Sequence, residues 1–118
     1  MNNLLTSARN RAINSARRLR RRPRAKLTGI ITLAGRSDLP PNLNPRRVYQ
    51  LGEPGKWAVM TCPCGRGHVI ELNLAHPGRA RWSVTADAAG APSVRPSVDV
   101  QSEHRCHFWL QSGRIVWV

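Results

Sequence analysis

The sequence predicts a mostly β protein: a small antiparallel all-β domain stapled by a zinc site, with a basic N-terminal helix or tail. Three observations point there. Proline and glycine punctuate the chain from residue 29 onward too often for helices of useful length. Between those breaks, apolar and polar residues alternate with period two. Finally, a chain with only six aromatic residues carries two Cys and His clusters about forty positions apart, ready to cross-link a modest core.

Residues 1–26 form a separate arm. Leu5, Ala8, Ala12, Ala16 and Leu19 recur at helical spacing among arginines, which predicts helix until about Arg22. Pro23 ends it, because proline clashes with the preceding turn. The domain itself spans 27–118. Leu27 to Leu33 and Val48 to Leu51 are the first strand candidates. Trp57, Val59 and Thr61 alternate with Ala58, Met60 and Cys62, and Ile70, Leu72 and Leu74 alternate with Val69, Glu71 and Asn73. Cys62 to His68 is the turn between those two strands. After a turn at Pro77-Gly78, Trp82, Val84 and Ala86 mark another strand, followed by a loop from Ala88 to Pro92. His107 to Leu110 and Arg114 to Val118 close the chain as a hairpin across Gln111-Ser112-Gly113. The doubled Pro-Ser-Val at 92–94 and 96–98 is too short to count as a repeat, and no internal helix is expected.

The 118 residues carry a net charge of +13, but nine of the 19 basic residues and none of the six acids fall in the arm. The remainder is close to an ordinary soluble domain. Arg17, Arg18, Arg20, Arg21, Arg22 and Arg24 form a candidate contact for nucleic acid or another polyanion. With no aromatic residue before Tyr49 to stack on bases, sequence-specific recognition is not supported. No apolar run reaches the roughly 18–20 residues of a transmembrane segment, and no secretory signal opens the chain. A cytoplasmic protein is therefore expected. Three cysteines, two of them one residue apart, argue for a metal or redox site over a disulfide framework.

Cys62 and Cys64 point the same way on extended chain and supply half of a tetrahedral site. His104-Arg105-Cys106-His107 offers the other half. Soft thiolate and imidazole donors suit zinc. By spacing alone the ligand order is Cys62, Cys64, His107 and His104, then Cys106, then His68. The Rieske pattern mixes Cys and His within each box, which this sequence does not. A catalytic zinc needs an open position and a carboxylate base. Glu71 is a candidate for that base, beside Glu103; Cys106 is a candidate thiol nucleophile, though its neighbour His107 faces the opposite way on a strand.

The order Cys62-Pro63-Cys64-Gly65-Arg66-Gly67-His68, Ile70-Glu71-Leu72-Asn73-Leu74, Arg95-Pro96-Ser97-Val98, His107-Phe108-Trp109-Leu110 and Gly113-Arg114-Ile115-Val116-Trp117 resembles the bacterial family DUF6527 over roughly residues 28–118. Arg66 replaces a third cysteine of that pattern; His104 replaces the cysteine of its C-x-S-H box and Cys106 the serine. The resemblance implies Cys62, Cys64, His104 and His107 as a Cys2His2 zinc set, and turns a hydroxyl at position 106 into a thiol. It also implies a companion of bacterial ubiquitin-like conjugation systems, with the modifier or its activating and conjugating enzymes (E1-like and E2-like) as partners. Three roles are compatible: a zinc-dependent peptidase that processes or deconjugates the modifier, a zinc-stapled adaptor without activity, and a basic nucleic-acid-binding module.

Overall fold

The computed structural model describes residues 26–75, 81–101 and 105–118. Among these described residues, eight strands build two four-stranded sheets. The first contains β1 (Gly29–Leu33), β2 (Arg47–Leu51), β3 (Trp57–Thr61) and β4 (Val69–Asn73), in that spatial order. The second contains β5 (Ser83–Ala86), β6 (Pro92–Gln101), β7 (Arg105–Gln111) and β8 (Arg114–Trp117), also in sequence order. The mostly β expectation holds. All strand pairs are antiparallel except β1 and β2, which run parallel from Gly29 opposite Arg47 to Leu33 opposite Leu51.

That parallel pair needs a crossover, because a tight hairpin can only join antiparallel neighbours. Residues 34–46 supply it, and Arg36–Asp38 makes a single 3-10 turn on the way. The crossover does more than connect. Its Leu39 and Leu43 pack with Ile31 and Leu33 against Tyr49, Leu51 and Val59, covering the far face of the first sheet. The Tyr49 hydroxyl accepts from the backbone N–H of Asn44 at 2.9 Å, which pins the crossover to β2.

The near faces of the two sheets share one core. Val48, Ala58, Met60, Ile70 and Leu72 from the first sheet are buried together with Val94, Val98, Phe108 and Leu110 from the second. Leu27, just ahead of β1, is buried among them and donates its N–H to the Gly113 carbonyl at 2.8 Å. Alternation does the sorting in β7, where Cys106, Phe108 and Leu110 are buried while Arg105, Trp109 and Gln111 are exposed. Phe108 meets Trp117 edge to face, with ring centroids 5.6 Å apart.

β6 is the strand that the alternation pattern misses. The expected loop ends at Pro92 and residues 93–104 carry no expected strand, yet Pro92 heads the strand and Pro96 sits where the ladder to β7 is interrupted. Val94 faces Leu110 and Val98 faces Phe108, so three β6 residues span a single β7 residue. Proline, lacking an N–H, is tolerated at such a bulge. Ser97 is the last residue of that irregularity, just before pairing resumes at Val98, and bulges of this kind re-aim side chains beside functional sites.

Candidate functional site

Two constellations lie on opposite faces of the second sheet. The inward one is built around the β3–β4 turn. The Cys62 N–H donates to the His68 carbonyl at 2.9 Å, closing residues 62–68 into a compact knuckle. Gly65 and Gly67 hold φ of 79° and 86° there, a left-handed conformation that side chains resist. The turn brings the Cys64 Sγ and His68 Nε2 to 2.9 Å from each other. Cys106 arrives from β7 in the other sheet. The ligand atoms of Cys62, Cys64, His68 and Cys106 all lie within 4.8 Å of one another.

Burial pushes the Cys62 thiol well up from its ordinary value, and it raises Cys106 as well. Both thiols are therefore neutral until a cation displaces their protons. A tetrahedral zinc with metal–sulfur bonds of about 2.3 Å sets its donors roughly 3.8 Å apart. The cluster approaches that requirement, with Cys64 and His68 needing to part slightly and the wider pairs to close, and its soft Cys3His donor set can hold a metal ion. Cys64 and His68 are half-buried, which leaves a side for the ion to enter.

Sequence spacing ranked Cys106 and His68 behind His107 and His104 as ligands. The structure gathers Cys62 and Cys64 with Cys106 and His68, and it places His107 elsewhere. The reason is the pleat. Cys106 points into the core, so His107 must point outward on the opposite face. His104 and the arginines at 17, 18, 20, 21, 22 and 24 lie outside the described residues. Glu71 sits on the exposed face of β4, where its carboxylate accepts from Arg36 at 2.9 Å rather than joining the sulfurs.

On the outward face, His107 meets a partner that the sequence reading did not single out. The Ser97 Oγ and His107 Nε2 are 3.0 Å apart, both residues half-buried. Asp99 stands directly opposite His107 in the β6–β7 ladder. Its carboxylate takes a two-pronged bond from Arg105, at 2.9 Å and 2.7 Å. That guanidinium, first of all, holds the Asp99 carboxyl down at about 2, with a smaller contribution from His107. Behind the serine, the Trp82 indole N–H donates to the Ser97 carbonyl at 3.2 Å, fixing the backbone that carries the hydroxyl. A hydroxyl hydrogen-bonded to an imidazole is the minimal nucleophile–base pair. The signal available in the sequence was Pro-Ser-Val on a strand able to pair with His107.

A family model described as "Bacterial ubiquitination-like system serine protease (BubE)" matches residues 36–118. No curated protein and no solved structure matches the chain. The tie to ubiquitin-like systems implied by the sequence resemblance stands, under the BubE name rather than DUF6527.

Proposed function

The chain belongs to the BubE family of bacterial ubiquitination-like system serine proteases, and from that premise we propose that it is a serine peptidase that processes or deconjugates a ubiquitin-like modifier. Ser97 is the nucleophile and His107 the general base. The observation that carries this reading is the 3.0 Å contact between the Ser97 Oγ and the His107 Nε2.

The chemistry follows from that geometry. Ser97 Oγ adds to the scissile carbonyl while its proton passes to His107 Nε2. As the tetrahedral intermediate collapses, His107 returns that proton to the departing amine, leaving an acyl ester on Ser97. A water then gives its proton to His107 and attacks the ester; proton return to Ser97 Oγ releases the acid and restores the pair. Asp99 stands opposite His107 in the ladder, its carboxylate held in place by the two-pronged bond from Arg105.

Zinc bound by Cys62, Cys64, His68 and Cys106 would serve structure. Four protein donors would leave no position for an activated water, so a metal held there would tie the knuckle of one sheet to β7 of the other. This reading supports modifier recognition, with E1-like and E2-like proteins as the surrounding partners. The test is cleavage of a fusion between the modifier and a C-terminal reporter, together with labelling by a fluorophosphonate. Ser97→Ala and His107→Ala should each reduce cleavage by about 10⁴-fold or more, and Ser97→Ala should abolish labelling. Full cleavage by Ser97→Ala would overturn the assignment and leave the adaptor role.

A further inference from the structure

Among the described residues, five large apolar side chains are conspicuously exposed: Trp57, Val69, Trp109, Val116 and Val118. The last three share one neighbourhood. Trp109 follows His107 by two residues on β7, so the two side chains emerge on the same face. Val116 stands opposite Trp109 in the β7–β8 ladder. Val118 donates its N–H to the His107 carbonyl at 2.9 Å, which sets it opposite the imidazole-bearing residue. Directly paired residues of an antiparallel ladder project to the same side. The histidine therefore has Ser97 and Asp99 on its β6 side and an apolar floor on its β8 side.

The exposures are 38% for Trp109, 45% for Val116 and 68% for Val118. Alternating partners on these strands, Phe108 and Leu110, are fully buried, so the fold has no need of the outer three to close its core. Same-face neighbours along a strand are roughly 6.8 Å apart and directly opposed ones roughly 5 Å. The floor thus begins one residue from the imidazole. An extended peptide advances about 3.4 Å per residue, so a chain whose carbonyl rests at Ser97 Oγ lays its first or second neighbouring residue over Trp109 and Val116.

We propose that Trp109, Val116 and Val118 form the specificity-determining subsite of this enzyme, receiving an apolar side chain one or two residues from the scissile bond of an extended peptide. The inference rests on the Ser97–His107 reading. What selects a peptide as occupant is continuity: the floor and the nucleophile–base pair share one face of β6, β7 and β8, so an extended peptide running from Ser97 toward β8 crosses it. The flat shape discriminates by contact area, so the expected selectivity is that of an open apolar site, about tenfold for Leu or Phe over Gly or Asp.

The experiment uses the full chain and a panel of reporter peptides carrying Leu, Phe, Gly or Asp at the first and second positions on each side of the scissile bond. Wild-type protein should favour Leu and Phe in kcat/KM by about tenfold at one of those positions. Trp109→Ala and, separately, Val116→Ser should raise KM for the Leu peptide and bring the Leu-to-Gly ratio toward one, whereas Trp109→Phe should keep most of the preference. A ratio unchanged in both Trp109→Ala and Val116→Ser overturns the subsite. So does sedimentation showing a dimer that Trp109→Ala dissociates, because the floor would then be covered by a second copy. Fluorophosphonate labelling of the wild-type protein separates the two ideas: label without side-chain preference defeats the subsite alone, and absence of label at Ser97 defeats the nucleophile–base reading as well.

Discussion

Removing the zinc proposed for the Cys62, Cys64, His68 and Cys106 cluster should cost this protein a large part of its stability, and the size of the loss can be worked out. Cys62, Cys64 and His68 belong to one turn, whereas Cys106 belongs to the opposite sheet, so an ion held by all four would link two layers that otherwise meet through apolar contacts and a few backbone hydrogen bonds such as Leu27 N–H to the Gly113 carbonyl. The unfolded chain offers no such preformed set, so binding to the folded state alone stabilises it by RT ln(1 + [L]/Kd). With free zinc about a thousandfold above Kd this amounts to about 4 kcal/mol. For a domain of this size it corresponds to a fall in Tm of roughly 15–30 °C on removal. The assay is calorimetry of purified protein with and without a strong chelator, then with zinc restored, alongside elemental analysis expected to give about one zinc per chain. Cys106→Ala should melt near the chelated wild type and be insensitive to further chelator, because both treatments remove the same link. His107→Ala should keep its zinc and its chelator response. The reasoning fails if chelation leaves Tm unmoved, or if His107→Ala loses the metal while Cys106→Ala retains it; the second result would restore the ligand set expected from the sequence resemblance.

Two further predictions concern the second sheet. Gly113 holds φ of 81°, and a Cβ there would run into the carbonyl oxygen of Leu27. Gly113→Ala should therefore destabilise the protein by about 1–3 kcal/mol, read by denaturant unfolding, through strain at the turn and loss of the Leu27 anchor. The Asp99 carboxyl, held at about 2 by Arg105, should titrate there by NMR and move back toward about 3.9 in Arg105→Ala. Because the folded value lies below the unfolded one, the contribution of this pair is present above about pH 4 and is lost as pH falls through 2. The pair lies at the surface, so added salt should weaken the effect.

The legible parts of this fold were those with regular periodicity. Trp57 to Thr61 and Val69 to Asn73 show their two faces directly, and Gln111-Ser112-Gly113 announces the last hairpin. The parallel placement of β1 was hidden, because it depends on where the 34–46 crossover lies and leaves no mark on β1 itself. β6 was hidden by its prolines, whose usual meaning is reversed at a bulge. Cys62 and Cys64 were legible as a pair because two residues of extended chain restore the same direction. Choosing among His68, His104, Cys106 and His107 required knowing which face of β7 is buried. That parity also hid the Ser97–His107 contact: only with Cys106 facing the core does His107 become free to meet β6.

Cys106 and His107 are consecutive residues, so a single peptide unit separates the sulfur knuckle beneath the sheet from the Ser97–His107 pair above it. The backbone there behaves like a thin diaphragm fastened from below. An oxidant or a competing thiol that unfastens the underside would be felt at once as play in the imidazole on top. On the proposed reading, metal occupancy and cleavage should then rise and fall together, the link between them being the Cys106–His107 peptide unit.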